Sequence, residues 1–201
     1  MSEQQRSPSG RKLTLRARAE RQEQTRQRIT EAAVRLHQEV GPLRTTVSAV
    51  AALAGVERLT VYRHFPDEHA LHAACQQHFF SLNPPPEPAA WTVIDDVEVR
   101  VRTALTEVYA FWDRIQDMAA TLLRDHAVDP GRAGGGVVAF MERSRAAILD
   151  GHRGRGSRAR RNRAVVGHAI HYATWRTLVH DGGLTNRQAI DLMTDFVVEN
   201  L

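Results

Sequence analysis

Cysteine is nearly missing: Cys75 is the only one in 201 residues, which excludes an intrachain disulfide. It falls on an apolar stripe, where a thiol behaves as a small buried hydrophobe rather than a redox sensor. Lysine is equally scarce. Lys12 stands alone among 27 basic residues, a bias of genome composition as much as of function. No apolar run approaches the ~20 residues a membrane crossing needs, and no signal peptide opens the chain, so a cytoplasmic protein is expected. Catalytic patterns are also missing. No glycine-rich phosphate loop follows a strand, Gly134–Gly136 sits in a plain loop, and neither a nucleophile elbow nor a helical His-Glu-x-x-His occurs. Among the ten histidines, the pairs His69/His72 and His168/His171 could each share a helix face. Neither has an acidic or cysteine partner at a metal-binding spacing, so surface or interfacial histidines are the reading. No enzyme, metal or cofactor is expected.

What is present is a soluble composition with an uneven charge. The hydrophobic share is 42%, ordinary for a folded protein, and the length suffices for a proper core. The formal net charge of +4 hides strong blocks: residues 1–66 carry +6, 67–150 carry −6, 151–163 carry +6 and 164–201 carry −2. A positive first third before an acidic middle fits nucleic-acid binding by one end only.

The stretch Thr45–Phe65 decides the reading. Val47, Val50, Ala51 and Ala54 recur at helical spacing, and Thr45 or Thr46 can cap that run. Gly55 stops it where the backbone must take positive φ. Beyond the corner Val56 and Val61 face inward, while Arg58, Thr60, Tyr62, Arg63 and His64 turn outward. A polar second helix after a glycine corner is what reading base edges in a major groove demands. A plain helical hairpin with a solvated face is the bland alternative.

The run Gly41-Pro42-Leu43-Arg44-Thr45-Thr46-Val47, with Val50-Ala51, Ala54-Gly55-Val56, Thr60-Val61-Tyr62-Arg63-His64-Phe65-Pro66 and Leu71, resembles the N-terminal domain of tetracycline-repressor-type (TetR family) regulators. The resemblance covers roughly residues 21–71. It implies an all-α fold, with an N-terminal three-helix helix-turn-helix domain and a C-terminal helical domain for ligand binding and dimerisation. Carried over by position, it implies DNA contacts from Thr46, Ser48, Arg58, Leu59, Thr60, Tyr62, Arg63 and His64. Three positions depart from the pattern. Glu57 replaces a usual serine, Leu59 a small residue, and Glu68 a phosphate-facing lysine. An acid at 68 suits the positive end of the next helix but repels a phosphate.

Along the chain, residues 1–15 read as a flexible basic arm, 16–66 as the helix-turn-helix domain, 67–83 as a connecting helix capped by Asp67, and 84–201 as the second domain. Ile29, Ala33, Leu36 and Val40 form the buried stripe of the first helix, with Arg26 and Arg28 as phosphate contacts or plain surface charges. Asn83-Pro84-Pro85-Pro86 ends the connecting helix. Helical patterning runs from Trp91 to about His126 with a break near Trp112-Asp113. Another helix ends at Gly151, and a basic connector follows. Residues Val165–Val179 are apolar on more than one side and read as one helix buried on more than one side. The helix after Asp181-Gly182-Gly183 carries Ala189, Leu192, Met193, Phe196 and Val197.

The resemblance further implies a ligand cavity among the central helices, with Trp91, Tyr109, Trp112, Met118, Phe140, Met141 and Trp175 as lining candidates. The last two helices resemble the family's four-helix dimer interface, with Val166, Ile170, Ala173, Leu192, Met193 and Phe196 as contacts. The expected function is a homodimeric repressor on double-stranded DNA, released from a palindromic operator by a small-molecule effector. The competing reading is an architectural DNA binder without an effector, separated by salt dependence and specificity ratio.

Overall fold

The computed structural model describes residues 8–152 and 154–201, without the side chains of residues 8–14. Among the described residues all regular structure is helical, with no strand. In order these are α1 (Pro8–Glu39), α2 (Val47–Ala54), α3 (Arg58–His64), α4 (Glu68–Leu82), α5 (Val97–Val128), α6 (Gly135–Ile148), α7 (Gly156–Ala169), α8 (Tyr172–Arg176) and α9 (Asn186–Asn200). The all-α class is as expected. The chain divides into two compact units, one built from the residues up to Val40 with Arg44–Phe79, the other from Gly41–Leu43 with Phe80–Leu201.

In the first unit α1, α2, α3 and α4 close on Ile29, Ala33, Val50, Val61, Phe65, Leu71 and Cys75, all buried. α1 starts at Pro8, earlier than the Arg16 start expected from periodicity. Residues 8–15 are thus helix rather than arm. The remainder of the expected arm, residues 1–7, lies outside the described residues. Periodicity missed this stretch because its sequence carries no apolar stripe.

The second unit is organised by α5, which Asp96 caps by accepting from the Val99 N–H. α5 bends at Ile115 (φ −113°, ψ 16°), three residues beyond the expected break. Its buried face carries Leu105, Val108, Tyr109, Phe111, Trp112 and Ala119. Phe111, Trp112 and Phe140 of α6 meet ring to ring at centroid distances of 5.1–6.0 Å. Buried Arg100 donates to the carbonyls of Ile94 and Asp150, tying two loops to α5. Gly41–Leu43 packs with this unit. The Leu43 N–H donates to the buried carboxylate of Asp125 (2.9 Å), which Arg124 also holds at 2.7 Å.

The single helix expected over Val165–Val179 is two. α7 stops at Ala169, α8 starts after His171, and a π-type turn covers Thr177–Asp181. Direct capping explains the break, since the His171 Nδ1 accepts from the Ala173 N–H at 3.1 Å. α9 opens on a capping box in which Thr185 and Gln188 exchange hydrogen bonds.

Candidate nucleic-acid interface

The corner between α2 and α3 is built as the sequence requires. The Thr46 hydroxyl accepts from the Ala49 N–H (3.1 Å) and caps α2. Gly55 sits at φ 64°, ψ 42°, and the N–H groups of Gly55 and Val56 return to the carbonyls of Ala52 and Ala51. Open space surrounds the position where a Cβ at Gly55 would stand, so its glycine serves backbone conformation, not packing.

Val61 is the one side chain that α3 buries fully among its described residues. Successive residues turn by about 100°, so Arg58, Leu59, Tyr62 and Arg63 occupy an outward arc of roughly 140°. All four are exposed, Leu59 by 57% and Tyr62 by 38%. Thr60 and His64 lie toward the Val61 side and are half-buried. The sequence-based contact set therefore divides: Thr46, Ser48, Arg58, Leu59, Tyr62 and Arg63 are presented, while Thr60 and His64 flank the packed side. An Arg58 Nη donates to the Tyr62 hydroxyl at 3.2 Å, with the guanidinium 5.6 Å from the ring centroid. That hydrogen bond pushes the Arg58 pKa further up. Glu57 precedes α3 without making a side-chain cap bond.

Arg26 departs from its expected role. Its Nη1 donates to the His64 carbonyl at 2.9 Å, and its guanidinium lies 4.3 Å from the centre of the buried Phe65 ring. It therefore caps the end of α3, where carbonyls lack partners and a cation opposes the helix dipole. Arg28 stays exposed. Asp67 accepts from the Ala70 N–H at 2.7 Å as expected, and Glu68 occupies the first turn of α4. A buried polar side chain on an apolar stripe was the available signal for a residue that sequence reasoning missed, Asp125 (i+3 from Leu122).

Residues 29–75, spanning this corner and its supporting helices, match the model of bacterial regulatory proteins of the tetR family. Over these residues the chain carries a domain of the tetR family of bacterial regulatory proteins. Solved structures give the same fold over most of the chain. A TetR-like transcriptional regulator from Rhodococcus sp. RHA1 aligns with a TM-score of 0.62 at 20% identity, covering 87% of this chain and 94% of the other. A tetR-family transcriptional regulator from Streptomyces coelicolor aligns at 0.57 and 20%, covering 89% and 79%. A putative fatty acid metabolism regulator from Clostridium perfringens aligns at 0.60 and 12%, covering 87% and 98%. No curated protein matches.

In the second unit the other expected residues can be located. Of the ligand candidates, Trp91, Tyr109, Trp112, Met118, Phe140 and Trp175 are buried and Met141 is half-buried. Their polar atoms are already used: the indole N–H groups of Trp91, Trp112 and Trp175 donate to Glu107, the Ile170 carbonyl and Asn186. The Tyr109 hydroxyl donates to the Ala169 carbonyl, and burial pushes its pKa up. Among them, Trp112 and Phe140 meet edge to face at 6.0 Å. Of the dimer candidates, Val166 and Ile170 are spent on the chain's own core and Met193 is nearly so. Ala173 and Leu192 are exposed and Phe196 is half-buried. Among the described residues no group of three or more His, Cys, Asp or Glu is arranged to hold a metal.

Proposed function

We propose that this TetR-family regulator is a homodimeric repressor that holds a palindromic operator through α3 and releases it when a small apolar or amphipathic effector binds the helical second unit. The observation that carries the DNA part is the outward arc of Arg58, Leu59, Tyr62 and Arg63 on a helix anchored by buried Val61. A short helix that spends one residue on packing and turns four others outward is suited to a major groove. Pairing of chains is supported by the exposed apolar side chains Ala173 and Leu192. Nearby, Leu178 and Met193 line an open groove of about 510 Å³. Two copies would present two reading helices to the two halves of a palindrome. The effector and the repressing sign rest on the family resemblance, and any effector shifts DNA binding only by its difference in affinity between two arrangements of the protein.

The test is fluorescence anisotropy with duplexes recovered from a randomised pool, set against scrambled duplexes, for the wild type and for Tyr62→Ala and Arg63→Ala. Both substitutions are expected to lower affinity at least tenfold while sedimentation still shows a dimer. Undiminished affinity in both would overturn the assignment to α3. Equal affinity for recovered and scrambled DNA would instead favour the architectural reading.

A further inference from the structure

We propose that α3 selects a guanine through Arg58 and a neighbouring thymine through Leu59, so that the 5-methyl group of that thymine is part of what this protein recognises. The inference rests on α3 being the DNA-reading helix and goes beyond it by naming the bases.

Arg58 and Leu59 are adjacent on the outward arc but differ entirely in chemistry. Arg58 carries five N–H donors and no acceptor. One is given to the Tyr62 hydroxyl at 3.2 Å, and the guanidinium lies against the Tyr62 ring. An arginine already held by a neighbour loses less freedom on binding, and its remaining donors suit the paired O6 and N7 acceptors of guanine. Leu59 has no polar atom and leaves 57% of its surface exposed, on a helix face that is otherwise polar. An isobutyl group there gains nothing from a phosphate or from a base-edge donor or acceptor. The one apolar feature a duplex offers along the major-groove floor is the thymine methyl. Glu57, just before α3, adds an acceptor-only side chain without a cap bond. Such a carboxylate is repelled by phosphates and is tolerated beside base donors, which places this edge of the helix toward the groove floor.

The experiment uses the full-length wild type and the variants Leu59→Ala and Arg58→Ala. Alanine is a strong helix former at these exposed positions, so both variants should fold, as circular dichroism will show. Duplexes are recovered from a randomised pool with the wild type. The best is then remade with deoxyuridine in place of each thymine in turn, and with 7-deazaguanine in place of each guanine. Deoxyuridine removes only the methyl group. At one thymine in each half-site, wild-type affinity should fall about fourfold, the equivalent of one buried methyl. Leu59→Ala should bind the two duplexes equally. At an adjacent guanine, loss of N7 should weaken the wild type about fivefold or more and leave Arg58→Ala indifferent. The proposal is overturned if the wild type ignores every deoxyuridine, or if Leu59→Ala keeps the wild-type sensitivity. A pool from which nothing is enriched overturns the DNA-reading assignment itself, a different and distinguishable failure.

Discussion

Replacing Arg26 by methionine separates a clamp from a phosphate contact. Methionine keeps an apolar stem against Phe65 but removes the donor to the His64 carbonyl (2.9 Å) and the cation 4.3 Å from the ring centre. A hydrogen bond from a charged donor contributes about 1.5 kcal/mol or somewhat more. The cation–ring contact at a half-buried site adds about 0.5–1 kcal/mol. Together the loss is about 2 kcal/mol. For a unit of this size, each kcal/mol moves the melting temperature by roughly 4–8 °C, so the N-terminal transition should drop by about 8–16 °C. Circular dichroism melts measure this, and anisotropy titrations at several salt concentrations measure the companion quantity. A clamp neutralises no phosphate, so the slope of log affinity against log salt should stay at its wild-type value once the protein is folded. A phosphate contact would lower that slope by about 0.9 for each site lost and leave melting unchanged. That second pattern would refute the clamp.

Three other perturbations follow from the same structure. Gly41 has φ +91°, and a Cβ there would collide with the side chains of Arg124 and Asp125. Gly41→Ala therefore combines left-handed backbone strain with loss of the Leu43-to-Asp125 bond, and should cost about 2–4 kcal/mol in urea unfolding; a change under about 0.5 kcal/mol would show the site to be slack. Burial pushes the Cys75 thiol up to about 12, so it should resist a disulfide reagent at neutral pH in the native protein and react on unfolding, whereas rapid native labelling would contradict its burial. Burial, and secondarily His168, lowers the pKa of His171 below 6.5. Its contribution to stability is then complete above pH 6.5 and falls as pH drops from there through the lowered native value. His171→Asn, which keeps a capping side chain, should flatten that acid-side slope in urea titrations, and an unchanged slope would exonerate His171.

The corner was legible because each part has a local cause written in one or two residues: a threonine cap, a glycine at positive φ, and valines at helical spacing. Of the side chains expected to turn outward, Arg58, Tyr62 and Arg63 do so, whereas Thr60 and His64 lie half-buried toward Val61 and Leu59 takes its place on the exposed arc; the Asp67 cap was equally legible. What stayed hidden depends on distant partners. Arg26 and Arg28 look alike in sequence, yet only Arg26 reaches the His64 carbonyl, 38 positions away. The division at His171 comes from a side-chain cap that no apolar pattern announces. In the second unit, hydrophobic spacing marked Trp91, Tyr109, Trp112, Phe140 and Trp175 as inward-facing, and all five are buried, but spacing does not tell a filled core from a lined cavity. Val166 and Ile170, buried within the chain itself, make a related point: an apolar stripe marks burial, but not whether the covering surface belongs to the same chain.

Cross-linking tests the reading helix most directly. A duplex recovered from a randomised pool, carrying 5-bromodeoxyuridine in place of thymine, is irradiated with the full-length protein, and the attached peptides are mapped by mass spectrometry. Cross-links concentrated within residues 57–65, and competed away by unlabelled recovered duplex but not by scrambled DNA, are expected. Cross-links confined to the basic segment around residues 154–163, or insensitive to which competitor is used, would contradict the assignment.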